Sequence, residues 1–266
     1  MTTAPADLVD LARYPIVRLD SAAGRALLEE SGRAFGSDGA LALPGFVRRE
    51  AIAAIRDEAL ALAPLAHHGE KRHNVYLIDD DPLLPPEHAR NRGQRTQIST
   101  VADDLIPRAS HLRALYDWPP LRAFLAAVLE QPALYPYADP LASLNVTIGR
   151  PGEQLGWHFD NADFATTLML QAAESGGRYE YCPNIRSPAD QGYEAVDRIL
   201  DGRYGDVRSL PIEPGTLVLF RGRHSLHRVT PIGGGRPRLM AVLSYDAMPG
   251  VTLSERTRMT FYGRAG

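Results

Sequence analysis

His158 and Asp160 stand two residues apart in Gly156-Trp-His-Phe-Asp160 and could chelate one metal ion together. Side chains two positions apart on an extended strand share a face, so one imidazole and one carboxylate converge without further folding. A third donor stands 69 positions after His158, in Arg223-His-Ser-Leu-His-Arg-Val-Thr-Pro231. His227 is preferred to His224 there, because it opens the strand-like His227-Arg-Val-Thr-Pro, whereas His224 lies nearer the turn after Phe220. Two imidazoles and one carboxylate form a facial set that leaves three positions of an octahedral iron(II) open, which suits a bidentate cosubstrate and dioxygen. A bare His-x-Asp arises often by chance. The combination becomes specific because the distal His follows a predicted strand and an arginine-bearing strand comes after it.

That arginine is Arg238, which opens the apolar run Leu239-Met-Ala-Val-Leu243. Its planar guanidinium could grip the remote carboxylate of 2-oxoglutarate at two points, with Arg236 as the alternative anchor. Thr166, Thr167 and Gln171 fall on the strand after the metal motif, where alternate positions face the interior and a hydroxyl such as that of Thr167 could orient an organic ligand. Asn161 beside the ligands and Asn145 on the preceding strand are polar candidates for substrate contact. Arg95, in Arg92-Gly-Gln-Arg-Thr-Gln97, could pair with a substrate carboxylate, although a solvated edge is the plainer reading. His224 would lie behind the metal or touch substrate. Trp157 reads as core packing and Asp163 as a solvated turn carboxylate. His67, His68 and His73 sit in a polar stretch that reads as a loop and carries no second metal site.

The elements that must hold these residues are legible in outline. With 266 residues, 44% hydrophobic and 23% charged, the chain fits one substantial folded domain. Ser21 to Phe35, Arg48 to Leu62 and Leu121 to Leu129 carry helical spacing, and Gly39 to Gly45 reads as a short strand and turn. From Leu141 the texture changes to short runs, Leu144–Ile148, Thr166–Leu170, Tyr179–Tyr181, Thr216–Phe220 and Arg238–Tyr245, with glycine-containing turns between them. The expectation is a mainly β protein with flanking helices and a jelly-roll, cupin-like core. A single domain over 1–266 would comprise helix-rich support at 1–140, the core with the metal site at 141–250 and an extension at 251–266. Tyr193 to Leu200 reads as a short helix inserted between strands, within a segment of unassigned role at 190–206.

A net charge of −3 gives no reason to bind nucleic acid. No apolar run is long enough for a membrane span, and the first residues lack a signal core, so the cytoplasm is the expected location. Cys182 is the sole cysteine, which excludes an intrachain disulfide and a multi-cysteine metal site. The expected partner is a small molecule, and a homo-oligomer is compatible with the sequence.

The motifs resemble those of the iron(II)/2-oxoglutarate oxygenase superfamily, and more closely its branch of radical amino-acid halogenases and their hydroxylase relatives. The resemblance is carried by Trp157-His-Phe-Asp-Asn161, Thr166-Thr-Leu-Met-Leu-Gln171, Gly176 to Arg186, Gly215 to Arg223, His227-Arg-Val-Thr-Pro231 and Arg236-Pro-Arg-Leu239. It implies a double-stranded β-helix core, iron(II), 2-oxoglutarate and dioxygen, and a small amino-acid-like substrate attacked at an unactivated carbon–hydrogen bond. Halogenating members carry a small residue where this chain has Asp160, which leaves a metal position for chloride. A carboxylate at that position therefore implies hydroxylation. Desaturation, cyclisation and a carrier-bound substrate are alternatives within the class. A cupin-like enzyme using the metal without 2-oxoglutarate, and a non-catalytic jelly-roll binding protein, are alternatives outside it.

Overall fold

The computed structural model describes residues 4–266. α1 (Pro5–Leu8) leads to α2 (Ala22–Asp38), which is capped by the Ser21 hydroxyl accepting from the Gly24 amide and ended by Gly39 at φ 62°. β1 (Ala40–Leu43), α3 (Arg49–Leu62), β2 (His67–His73) and β3 (Gln94–Val101) follow. α4 (His111–Tyr116) and α5 (Pro119–Val128) precede β4 (Tyr135–Pro136), β5 (Leu144–Gly149), β6 (Leu155–His158), β7 (Ala165–Gln171), β8 (Ser175–Gly176) and β9 (Tyr179–Cys182). α6 (Tyr193–Leu200) comes next, followed by β10 (Arg208–Leu210), β11 (Leu217–Phe220), β12 (Leu226–Val229), β13 (Ile232–Gly233), β14 (Arg238–Leu243), β15 (Tyr245–Asp246) and α7 (Glu255–Tyr262).

Two antiparallel sheets carry the architecture. The larger runs β1-β11-β7-β14-β5-β3-β2 and the smaller β10-β9-β12-β6. Strand alternation divides their side chains cleanly. Leu168, Leu170, Leu217, Leu219, Leu239, Ala241 and Leu243 point from the larger sheet into one hydrophobic core with Phe35, Ile55, Leu115 and Phe124 of the helices. The opposite face presents Ala40, Val218 and Phe220 to Tyr181 of the smaller sheet, with Tyr179 packed beside them. Phe220 meets the rings of Tyr179, Tyr181 and His227 edge-on at centroid distances of 5.2, 5.9 and 4.7 Å, which closes one end of the space between the sheets. On its outer side the smaller sheet buries Trp157, Cys182 and Leu226 against Val196 and Ile199 of α6. This arrangement is the expected double-stranded β-helix with flanking helices. No helix among the described residues is long and apolar enough to cross a membrane.

Two features depart from the sequence-based expectation. The boundary expected at residue 140 does not coincide with one in the sheet: β1, β2 and β3 precede it, yet all three pair into the seven-stranded sheet. The stretch around His67–His73 is a strand paired residue for residue with β3, where the sequence reading expected a loop. Exposure alternates strictly along it, with Gly69, Lys71 and His73 on the shielded side. The strand lacks an apolar stripe because its inward face lines a cavity and not the core, so hydrophobic periodicity could not reveal it.

Candidate metal centre

β6 and β12 are neighbours in the smaller sheet, and their register sets His227 directly opposite His158. Both imidazoles point between the sheets, with ring centroids 4.2 Å apart. The chain leaves β6 through Phe159, whose amide donates to the Val75 carbonyl at 2.7 Å, and the Asp160 amide then donates to the Gly222 carbonyl at 3.0 Å. These two bonds turn the Asp160 carboxylate back toward the imidazoles. Its Oδ1 lies 3.6 Å from His158 Nε2 and 3.5 Å from His227 Nε2. One ligand atom from each of the three residues falls within 4.8 Å of the others, a spacing that a single cation could bridge.

The tautomers suit coordination. His158 Nδ1 lies 2.7 Å from the Gly156 carbonyl oxygen and His227 Nδ1 3.0 Å from that of Ser225. A carbonyl only accepts, so each Nδ1 carries the proton and each Nε2 presents its lone pair to the centre. Burial, with His227 alongside, lowers the His158 pKa to about 3 against the opposing pull of Asp160, so this imidazole stays unprotonated at neutral pH. Burial pushes Asp160 upward, but the adjoining imidazoles, His227 foremost, hold it below the usual carboxylate range.

Gly222 is a site residue that the sequence reading missed. A Cβ built there would fall on the Asp160 Oδ2, well inside van der Waals contact. The constraint is a close approach at an ordinary backbone conformation, so no turn signature announces it. Gly222→Ala is expected to swing the carboxylate out of the cluster and weaken iron(II) binding by roughly 10- to 100-fold, the scale seen when a ligand's support is lost. Titration of the apo-protein with iron(II) checks this, and unchanged affinity would contradict it.

Arg238 is 4% exposed, faces the interior opposite Gly149, and makes no ion pair among the described residues. Its Nε has no hydrogen-bond partner, and the same holds for the buried Tyr179 hydroxyl. Burial lowers the guanidinium pKa to about 10, leaving it charged at neutral pH. The Tyr179 ring lies 5.7 Å from that of His227, and Tyr179 also interacts electrostatically with Arg238. A buried cation without a counter-ion is costly, so the geometry fits an anion held between Arg238 and Tyr179 on the metal side of the fold. Tyr179 stood within a recognised strand, but only the packing shows its hydroxyl to be orphaned.

The remaining candidates divide. Asn145 is buried, donates to the Tyr262 hydroxyl at 3.3 Å and lines a cavity of about 570 Å³ together with His158, Asp160 and Asn161. Thr167 shares the inward face with its register partners Val218 and Val242. Gln171 is engaged elsewhere, donating to the Pro237 carbonyl at 2.9 Å.

Three expectations need correction. Arg95 points out of β3, where Glu70 pairs with it at 3.1 Å, because it has the opposite strand parity to the inward Thr96. His224 turns away from the cluster, with its Nδ1 3.0 Å from the Arg186 carbonyl oxygen, so it contacts neither metal site nor adjoining cavity. Arg236 is exposed and donates to the carbonyls of Ala172 and Ala173, which leaves no free face to anchor a cosubstrate. Trp157 is buried under Arg228, and Asp163 is a surface partner of Arg223, as expected.

His73 belongs to the site, contrary to the loop reading. Its ring meets that of His158 edge-on at 6.1 Å. Its Nδ1 lies 2.9 Å from the Asn74 carbonyl and its Nε2 2.7 Å from Thr96 Oγ1, which in turn accepts from the Gly156 amide. These bonds tie β2 and β3 to the strand that carries His158.

Residues 23–260 match the family model described as halogenase D. Comparison with curated proteins gives no match. Among solved structures, the chain is similar to an oxidoreductase of the 2OG-Fe(II) oxygenase family from Burkholderia pseudomallei, with 12% identity, coverage of 84% of this chain and 92% of that one, and a TM-score of 0.55. It is also similar to HygX from Streptomyces hygroscopicus with nickel and 2-oxoglutarate bound, with 16% identity, 81% and 85% coverage and a TM-score of 0.56. A third is SnoN, a non-heme alpha-ketoglutarate-dependent epimerase from nogalamycin biosynthesis, with 15% identity, 84% and 83% coverage and a TM-score of 0.57. At these identities what is shared is the fold.

Proposed function

The chain belongs to the halogenase D family, among the iron(II)/2-oxoglutarate oxygenases, and from that membership we propose that it hydroxylates an unactivated carbon–hydrogen bond of a small polar molecule, with a free amino acid or close derivative as the first substrate class. The observation that carries the reading is the Asp160 carboxylate, 3.5 to 3.6 Å from both imidazole Nε2 atoms. A family named for halogenation needs a vacant metal position for halide, and here a carboxylate stands ready to take it. His158, Asp160 and His227 would hold iron(II), and Arg238 with Tyr179 would hold the far carboxylate of 2-oxoglutarate. Iron(II) with 2-oxoglutarate and dioxygen supplies carbon–hydrogen oxidation, releasing succinate and carbon dioxide.

The protein's contribution is positioning. Nδ1–H donation to backbone carbonyls fixes both imidazoles, Gly222 leaves room for the carboxylate, and the inward faces of β5 and β7 set where the substrate carbon lies. Phe220 and the tyrosines beside it keep water from the buried end of the site.

The test has two stages. Anaerobic addition of iron(II) and 2-oxoglutarate should produce the weak visible metal-to-ligand band, and a screen of free amino acids in air should find substrate-stimulated succinate release. Mass analysis then separates gain of one oxygen atom from loss of two hydrogens, the mark of desaturation or cyclisation. Absence of both the band and succinate would leave a non-catalytic jelly-roll protein. Metal-dependent oxidation without 2-oxoglutarate would indicate cupin-like chemistry.

A further inference from the structure

The inward positions of β2 and the facing surface of α7 enclose a cavity of about 280 Å³ that reaches His158. Its lining includes two cations, Lys71 and Arg256, and no carboxylate. Arg256 is already paired with Asp79 at 3.1 Å on the outer surface. Lys71 makes no hydrogen bond or ion pair among the described residues, although its strand neighbour Glu70 is paired with Arg95 on the other face. Burial, reinforced by the charge of Arg256 and opposed by the Asp79 carboxylate nearby, makes the Lys71 ammonium easier to deprotonate than a free lysine. The rest of the lining mixes apolar Leu77, Ile98, Leu155 and Phe261 with His73, already bonded to Thr96, and threonine hydroxyls.

α7 is fixed over this space. The Thr260 carbonyl oxygen packs so close to β2 that a Cβ at Gly69 would come within 2.8 Å of it. The Tyr262 hydroxyl accepts from Asn145, and Arg264 just past the helix forks onto Asp104 at 2.8 and 2.6 Å. The helix therefore forms a built wall of the cavity, placed by contacts on three sides.

We propose that Lys71, with Arg256 beside it, binds the carboxylate of the substrate, so that an aliphatic chain extends past Leu77, Ile98 and Phe261 toward His158 and is oxidised at a carbon remote from the carboxylate. The proposal deepens the oxygenase reading and rests on it. An ammonium without an ion pair among the described residues, in a largely apolar cavity that also reaches His158 of the candidate metal centre, selects a small molecule with one anionic end. Lys71 and the α7 residues are thus substrate-specificity determinants, separate from the cosubstrate anchor at Arg238.

The experiment uses the full chain loaded anaerobically with iron(II) and 2-oxoglutarate. Norleucine, leucine and hexanoate are titrated calorimetrically beside the matching carboxamides, and the same compounds are assayed in air for succinate release. At least one carboxylate should bind at least about 10-fold more tightly than its carboxamide. Lys71→Met should weaken that binding by about 10- to 100-fold with 2-oxoglutarate affinity unchanged, while Lys71→Arg retains most of it. The proposal is overturned if the carboxamides bind equally well, if none of the carboxylates binds a wild-type protein that takes up 2-oxoglutarate, or if Lys71→Met stays within about twofold of wild type. It is also overturned if Lys71→Met weakens 2-oxoglutarate instead, since the lysine would then belong to the cosubstrate. A wild-type protein that discriminates carboxylate from carboxamide yet forms no succinate would sink the oxygenase reading and leave the carboxylate site standing.

Discussion

Asp160→Ala is expected to lower 2-oxoglutarate-dependent succinate formation by at least about 100-fold, beyond the roughly 10- to 100-fold attached to losing a residue that merely supports a ligand. The carboxylate is the one anionic donor in the cluster, and its Oδ1 faces both imidazole Nε2 atoms. Without it, two neutral donors must hold a dication in a buried pocket, and one coordination position is left to solvent or a small anion. Iron(II) titration and succinate assays, run with and without chloride, check the outcome. Chloride is not expected to yield halogenated product, because the walls of the pocket, and not only the vacated position, decide which atom the substrate carbon meets. Full activity in the variant would remove Asp160 from the ligand set.

Arg238→Met should separate stability from function. The guanidinium is buried, its Nε is unpartnered, and it makes no ion pair among the described residues. A buried charge without a counter-ion carries a desolvation cost that an apolar side chain does not, so the variant without ligands should melt no lower than wild type. Affinity for 2-oxoglutarate should nevertheless fall by about 100-fold or more, because a two-point charge-assisted contact is lost and the carboxylate would enter a site with no counter-charge. Thermal melting with and without 2-oxoglutarate reads both effects: wild type should be stabilised by the ligand and the variant should not. A variant that melts much lower, or that still responds to 2-oxoglutarate at wild-type concentrations, would show that Arg238 has another partner.

What the sequence made legible follows from where local rules suffice. His158 and Asp160 could be paired from spacing, and His227 was preferred to His224 because a strand-like run begins there; the register of β6 and β12 places those two histidines face to face. Arg238 was preferred to Arg236 as the opening of an apolar strand, and it is the one that is buried. Local rules failed where a residue's role depends on what packs against it from elsewhere. The charge of Arg95 offers a substrate contact as one reading, but its parity relative to Thr96 sends it outward to the solvated edge, which is the plainer reading. β2 stays hidden from hydrophobic periodicity because its inward residues, Gly69, Lys71 and His73, line a cavity and form no apolar stripe. Gly222 and Tyr179 acquire their roles only once residues about 40 to 60 positions away in sequence come into contact with them. The wall formed by α7 likewise depends on its seating over β2, which 251–266 read alone could not disclose.

The pairing of His227 with His158 makes the candidate metal centre a lock on strand alignment. Side chains alternate faces along a strand, so a slip of one residue between β6 and β12 would turn one imidazole to the outer surface and leave the ion without its donors. A bound cation would then act as a reversible cross-link between segments far apart in sequence, present only in chains whose smaller sheet has zipped correctly. Loading the metal would favour correctly aligned molecules over mispaired ones, and the amides of β6 and β12 would exchange their hydrogens more slowly once it is in place.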